Sequence, residues 1–182
     1  MSDEEPSDEA LFRLFRKGDD RAFETLYQRY RQTLYLFLLR SASSAGDADE
    51  LYQDVWSRII TAGKQFDGGS FKAYAFRIAR NLIIDRHRRG GLTLVTDLAT
   101  VHEPVQPGKS MEEQLQDEEC SERMKRQIGQ LPAEQREVFL LKEEAGLTLA
   151  QIAAMVDVGR ETVKSRMRYA LKQLRKLLEE CL

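Results

Sequence analysis

The spacing of apolar residues constrains the fold of this chain more than any other feature of its sequence. Leu51, Val55 and Ile59 recur every four residues, and Tyr52 and Trp56 lie beside them. This spacing places all five side chains on one face of an α-helix. Similar stripes occur elsewhere in the N-terminal half: Leu11, Leu14 and Phe15; Phe23, Leu26, Tyr27, Tyr30 and Leu34; Phe71, Tyr74, Ala75, Ile78 and Leu82. Residues 10–91 show no alternation of strands with helices, so we predict an all-α fold.

A break in the apolar pattern divides the chain into two parts. Residues 92–122 contain two prolines, eight acids and a single base, Lys109. This composition favours a linker, from which a helix is expected to start near Met111. We therefore predict two small helical domains joined by a flexible acidic linker. The predicted segments are an acidic N-terminal tail over 1–9, a first domain over 10–91, the linker over 92–115 and a second domain over 116–182.

Positive charge is concentrated near the C-terminus of a chain whose formal net charge is −2. The stretch "RETVKSRMRYALKQLRK", Arg160 to Lys176, holds seven Lys or Arg residues and one acid. Together with "TLAQIAAMVD" before it, the stretch predicts two helices joined by a short turn at 157–159, which is a helix-turn-helix. The residues expected at the contact between the two helices are Ile152, Ala153, Val158 and Val163.

The second helix of this motif has an apolar face and a basic face. At 100° per residue, the apolar face comprises Val163, Met167, Ala170, Leu171, Leu174 and Leu178. A basic outward face fits the major groove of DNA, where Arg and Lys reach phosphates and guanine edges. The candidate DNA-binding residues are Arg160, Glu161, Lys164, Ser165, Arg168 and Lys172. The alternative is that the charges only suit the macrodipole at a helix C-terminus, which explains Arg175 and Lys176 well but Arg160 and Lys164 poorly.

A second basic helix is expected over 71–89, with Phe66 in the Gly-containing loop before it. Basic groups interleaved with an aromatic ring and an amide suit unstacked single-stranded DNA, since charge follows the backbone, a ring stacks on bases and an amide reads an edge. The candidate residues are Phe66, Phe76, Arg77, Arg80, Asn81, Arg86, His87 and Arg88. The alternative is a solvated cationic helix end with Phe76 in the core.

The helix before this one is acidic on its outward side. Asp47 is a plausible N-cap with Glu50 three residues on, as in a capping box, and Asp54 lies one turn further along. Three carboxylates on a solvent face without a histidine make a poor metal site. Capping and dipole compensation explain the first two acids, whereas a docking face for a basic partner also explains Asp54. The candidate docking residues are Asp47, Asp49, Glu50 and Asp54.

Three segments in this order and spacing carry a family resemblance: "GDADELYQDVWSRII", "SFKAYAFRIARNLIIDRHRR" and "LTLAQIAAMVDVGRETVKSRMRYALKQLRKLL". The chain resembles a bacterial RNA polymerase sigma factor of the compact, two-domain extracytoplasmic-function (ECF) type. The resemblance makes residues 10–91 a sigma domain 2 and residues 116–182 a sigma domain 4. In the turn of the helix-turn-helix, Asp157 replaces the usual glycine, and Asp tolerates the left-handed conformation better than most residues.

The resemblance implies a role for each site. The acidic helix would dock on the coiled coil of the largest subunit of core RNA polymerase, and the segment 66–89 would recognise and help to melt the −10 promoter element. The helix-turn-helix would read the −35 element and touch the β flap, while the linker would run towards the active-site and RNA-exit channels. Many relatives are held inactive by an anti-sigma factor, so one is expected here, with the free protein a monomer.

Other classes of function find less support in the sequence. A stand-alone helix-turn-helix regulator would need an α/β signal-receiving domain or a ligand pocket before its DNA-binding part. An enzyme would need a second catalytic constellation beside the carboxylates, and we expect neither an enzymatic activity nor a cofactor or metal. The acidic N-terminus is unlike a signal peptide and no apolar run approaches a membrane span, so we expect a cytoplasmic protein. Cys120 and Cys181 lack metal-ligand spacing and are expected to be free thiols.

Overall fold

The computed structural model describes residues 5–61, 63, 66, 68–90 and 111–181. These residues form helices and no strand, which confirms the all-α prediction. The helices are α1 (Asp8–Phe15), α2 (Asp20–Ser41), α3 (Ala45–Thr61), α4 (Phe71–Gly90), α5 (Met111–Gln130), α6 (Ala133–Glu143), α7 (Leu149–Val156) and α8 (Arg160–Cys181). Helix α5 begins at Met111, as the sequence predicts. The remainder of the predicted linker, up to residue 110, lies outside the described residues.

Polar side chains fix the starts of the first three helices. The Ser7 hydroxyl accepts a hydrogen bond from the backbone N–H of Ala10 at 3.2 Å, and the Asp19 carboxylate accepts from the N–H groups of Arg21 and Ala22. The Ser44 hydroxyl accepts from the N–H of Asp47 at 3.1 Å. The prediction that Asp47 is the N-cap of α3 is therefore wrong, because Ser44 satisfies the orphan donor and Asp47 lies in the first turn.

Aromatic rings fill the core of the N-terminal helices. The Phe12 ring is fully buried, with its centroid 5.2 Å from that of Phe66 and 5.0 Å from that of Phe71. Edge-to-face and tilted contacts of this kind add to the free energy gained from burying the rings. Leu14, which the sequence predicts on the buried stripe of α1, is 42% exposed.

The C-terminal helices pack around the predicted contacts of the helix-turn-helix. Ile152 and Val163 are fully buried, Ala153 is buried and Val158 is half-buried. Leu171 differs from the prediction, since it is 40% exposed. The apolar face of α8 is narrower than its sequence suggests, because α8 packs on α6 and α7 along the line of Val163, Ala170 and Leu174.

The expectation of a free thiol is wrong for Cys120, which is disulfide-bonded in the structure. Helix α5, which carries Cys120, packs against α8. The spacing of cysteines along the sequence does not give the distance between them once the helices have packed. It therefore could not have indicated this disulfide bond. The side chain of Cys181 lies outside the described residues. Among the helices that are described, none is both long and apolar enough to span a membrane.

Candidate nucleic-acid interface

Local chemistry sets the geometry of the helix-turn-helix. Thr148 and Gln151 form a capping box at the start of α7: the Thr148 hydroxyl accepts from the N–H of Gln151, and the Gln151 side chain accepts from the N–H of Thr148. The residue that follows the helix, Asp157, caps its C-terminus with a left-handed φ of 54° and ψ of 50°. The N–H of Val158 then donates to the carbonyl of Ala153 at 3.1 Å. This closes the turn and directs the chain into α8.

The basic stripe predicted on α8 lies at the surface of the protein. Ser165 is half-buried, whereas the other candidates are exposed: Arg160, Glu161, Lys164, Arg168 and Lys172. Glu161 and Lys164 form an ion pair with 2.7 Å between Oε1 and Nζ. The hydrogen bond from Lys164 lowers the pKa of Glu161. The net charge of the stripe therefore comes from Arg160, Arg168 and Lys172.

Two further exposed side chains lie beside this stripe, and the sequence analysis missed both. Thr162 is exposed in the first turn of α8, and Tyr169 is 50% exposed. The guanidinium carbon of Arg168 lies 5.4 Å from the centroid of the Tyr169 ring, within the range of a cation–π contact. The sequence did offer a signal for Tyr169, which is an aromatic residue next to a basic one. The helical pattern, however, places Tyr169 between the apolar face and the basic face of α8, so neither face included it.

The basic helix α4 presents a mixed set of candidates. Arg77, Asn81 and Arg88, at i, i+4 and i+11, share one exposed face, and His87 is exposed beside them. Two predicted DNA contacts are engaged by acids instead. Arg80 Nε donates to Glu137 Oε1 of α6 at 2.7 Å. Arg86 donates to both Asp47 and Glu50 of α3.

The two aromatic candidates at this site are buried, so their predicted exposure is wrong. Phe76 is fully buried and its ring centroid lies 5.3 Å from that of Phe37. Phe66 is 8% exposed and packs between the rings of Phe12 and Tyr74. Helix α4 contacts α1, α2 and α3, so its buried face is wider than the predicted stripe and includes Phe76. An aromatic ring there gains more from burial than from exposure. The core position weighed for Phe76 in the sequence is correct.

The acidic face of α3 lies beside α4, and a single arginine connects the two. Arg86 holds the carboxylates of Asp47 at 3.0 Å and Glu50 at 2.8 Å, and the hydrogen bond with Glu50 raises the pKa of Arg86. Asp49, Glu50 and Asp54 are exposed, whereas Asp47 is half-buried. Asp49 accepts a hydrogen bond from the hydroxyl of Tyr35 at 2.8 Å, which raises the pKa of that tyrosine. No group of three or more potential metal ligands occurs in the part of the chain that the structure describes.

Comparisons with known proteins identify the family. Residues 26–93 match the family described as Sigma-70 region 2, and residues 128–176 match Sigma-70, region 4. The ECF RNA polymerase sigma factor RpoE of Cereibacter sphaeroides is 32% identical over 169 residues, which cover 91% of this chain and 92% of that protein. The ECF RNA polymerase sigma factor SigW of Bacillus subtilis is 28% identical over 180 residues, which cover 91% and 93%.

A solved structure agrees with these matches. The sigma factor RpoE of Bartonella quintana, in complex with the anti-sigma factor NepR, has a TM-score of 0.68 and 26% identity, and the match covers 86% of this chain and 96% of that one. The region 2 match lies in the N-terminal helices, where a stand-alone helix-turn-helix regulator would carry an unrelated domain. The chain belongs to the ECF family of RNA polymerase sigma factors, which direct promoter-specific transcription initiation.

Proposed function

We propose that each of the three charged surfaces performs a separate step of promoter-specific initiation. The exposed acids of α3 bind core polymerase, the exposed face of α4 binds the −10 element, and the outward stripe of α8 binds the −35 element. The observation that carries this assignment is that one acidic surface, on α3, and two basic surfaces, on α4 and α8, are exposed in the same chain. The domains over 10–91 and 116–182 are the units that hold them.

Docking on the polymerase relies on carboxylates that take no part in the apolar packing of α3. Asp54 and Asp49 are exposed on α3, while Leu51, Val55 and Ile59 of the same helix supply its packing. Asp47 and Glu50 lie beside them, held in place by Arg86. A cluster of carboxylates on one helix fits a basic partner surface, and we assign that partner to the coiled coil of the largest polymerase subunit. The β flap is assigned to the C-terminal domain.

The exposed residues of α4 suit the −10 element. Arg77 and Arg88 supply charge for the phosphate backbone, and Asn81 between them can pair with the edge of an unstacked base. His87 extends this surface. Arg80 joins it only when Glu137 releases its guanidinium, and Arg86 acts through the α3 acids. Neither Phe66 nor Phe76 is included, because both rings are buried.

The −35 element is read by α8. Arg168 is the central exposed base of the stripe and its guanidinium lies over Tyr169, which limits its freedom before DNA binds. Arg160 is the first residue of α8 and Lys164 lies one turn further along, close to the helix N-terminus that phosphates approach in a recognition helix. Glu161, Ser165 and Lys172 complete the surface.

The family also suggests how the chain is regulated and where it acts. The relative from Bartonella quintana is described with an anti-sigma factor, and we infer that this chain is also held inactive by one. We assign it to the cytoplasm, where polymerase and promoter DNA are found. It acts as a monomeric initiation factor without catalytic residues, cofactor or metal.

Reversal of one charge tests the docking assignment. Asp54→Lys places like charge against a basic partner, which can cost several kcal/mol. An exposed substitution usually changes the free energy of unfolding by about 0.5 kcal/mol or less. We therefore expect a folded protein that no longer co-elutes with core polymerase in size-exclusion chromatography and no longer supports transcription.

The matched control is Glu24→Lys, the same reversal at an exposed position of α2 in the same domain. We expect this variant to co-elute as wild type does. Thermal melts of both variants check folding. Wild-type affinity of a folded Asp54→Lys protein for core polymerase is incompatible with the docking assignment.

A further inference from the structure

Two ion pairs connect the C-terminal helices with the N-terminal ones. Glu137 of α6 binds Arg80 of α4, and Glu144, which follows the last residue of α6, binds Arg40 of α2. The side chains of Arg40 and Glu144 are 16% and 15% exposed, and those of Arg80 and Glu137 are 20% and 28% exposed. Both pairs are thus largely removed from water. Helices α2 and α6 are in contact at this place.

The two acids are arranged as one surface. Glu137 and Glu144 are seven residues apart, which is close to two helical turns and places them on the same side of α6. Each meets a different helix of the N-terminal domain. Removing one member of a desolvated pair leaves an uncompensated charge, whereas separation of the domains returns both members to water. These ion pairs therefore favour one particular packing of the two domains, which is called the closed arrangement here, and they allow the domains to separate again.

Closure has a consequence for DNA binding. Arg80 lies beside the exposed face of α4, and its Nε already donates to a carboxylate at 2.7 Å. A carboxylate and a phosphate oxygen compete for the same guanidinium donors. Glu137 therefore occupies a cation that the −10 surface would use.

We propose that Glu137 and Glu144 form an acidic latch that closes the two domains on each other and withholds Arg80 from DNA until the domains separate. The withholding of Arg80 rests on the proposed −10 role of α4. Closure itself does not depend on that role. Polymerase or promoter binding must then break both ion pairs before the −10 surface is complete.

Small-angle X-ray scattering of the full chain tests closure. In the variant Glu137→Gln/Glu144→Gln, both charges are removed with little change in side-chain size. We expect its radius of gyration to rise above that of wild type, with unchanged helicity by circular dichroism. The matched control is Glu134→Gln, which removes an acid of the same helix whose partner, Arg166, belongs to the same domain. We expect no expansion there. A radius of gyration equal to that of wild type in the double variant would overturn the latch.

A charge swap shows whether closure depends on the ion pair between residues 80 and 137 or only on the presence of a particular side chain. Glu137→Arg should open the chain by placing two guanidinium groups together, and Arg80→Glu/Glu137→Arg should close it again. Failure of the swapped pair to restore the wild-type radius of gyration, after the single variant has opened, contradicts a direct ion pair.

Transcription assays at a subsaturating concentration of this protein test whether the latch withholds Arg80 from DNA. We expect Glu137→Gln/Glu144→Gln to give more transcript than wild type at the same subsaturating concentration. An opened variant with wild-type output overturns this half of the proposal. Arg80→Ala added to the opened variant Glu137→Gln/Glu144→Gln distinguishes this outcome from failure of the proposed function, because transcription unchanged from that of the opened variant removes Arg80 from the −10 surface while the scattering result for closure stands.

Discussion

Phe76 and Asn81 are five residues apart on α4 and have opposite environments. Phe76 is fully buried against Phe37, and Asn81 is exposed. The sequence pattern placed both at the DNA-facing side, because it assumed that α4 is buried along one stripe only. The type of residue decided the outcome: a ring next to a second packing surface is buried, whereas an amide without partners remains in water.

The two positions predict different defects. Asn81→Ala should leave stability within about 0.5 kcal/mol of wild type and impair open-complex formation more than closed-complex binding, because its amide meets bases only after unpairing. Phe76→Ala should instead lower the free energy of unfolding by about 3–5 kcal/mol, since it leaves a cavity in the core. Thermal melts and permanganate footprinting measure the two effects. An Asn81→Ala variant that opens promoters at the wild-type rate, on duplex and premelted templates alike, contradicts the −10 assignment.

Arg168 is the residue whose replacement tests the proposed −35 contact. Arg168→Ala should reduce transcription from a promoter that depends on its −35 element and leave core-polymerase binding intact. A good contact from an arginine to a base edge contributes about 1–3 kcal/mol of discrimination, which corresponds to roughly 5- to 150-fold. The control is Arg126→Ala, which removes an exposed arginine of α5 in the same domain. Equal loss in both variants, or no loss in either, would remove Arg168 from the interface.

At the scale of helices, periodicity predicted most of what the structure contains. The stripe of Leu51, Val55 and Ile59 is buried as expected, and α5 starts at the predicted residue. The helix-turn-helix was predictable in detail because its determinants are local. The left-handed Asp157 is an example, since a short polar side chain is among the few that tolerate this conformation next to a helix end.

Helix α4 shows why such predictions fail for some side chains. A helical pattern gives the direction in which a side chain points, but not the number of elements that surround the helix. Arg86 points towards α3 and holds Asp47 and Glu50 there, and Arg80 meets Glu137 from the other domain. A sequence pattern that treats each helix alone assigns both arginines to DNA. The exposed residues Arg77 and Arg88 have no such neighbour in the pattern, and their exposure was predictable.

The arrangement of the two domains lies beyond what the sequence could indicate. Arg40 and Glu144 are separated by more than one hundred positions, and neither belongs to a recognisable motif. Their pairing depends on the packing of α2 against α6. The same limit applies to Cys120, whose bond depends on the packing of α5. Charge alone predicted the proposed polymerase and DNA surfaces, whereas the contacts that restrain those surfaces could be seen only in the fold.

The nearly buried pair of Arg40 and Glu144 predicts how the whole molecule responds when its charges are removed. Arg40→Met or Glu144→Met alone leaves one charge without its partner in a desolvated contact, which costs about 3–5 kcal/mol unless the domains separate. Replacement of such a pair by two apolar residues of similar size is often neutral or stabilising by about 1–4 kcal/mol. We therefore expect each single variant to expand the chain and the double variant to be as compact as wild type.

Scattering at low and high salt measures this cycle. Salt weakens ion pairs but not apolar contacts, so the compactness of the double variant, which keeps one of the two ion pairs, should depend less on ionic strength than that of wild type, which keeps both. A thermal melt of each variant checks that the helices remain folded. Single variants that stay compact would show that this pair does not control closure. A double variant as expanded as the single ones would show that closure needs the charges themselves and not the packing of the side chains that carry them.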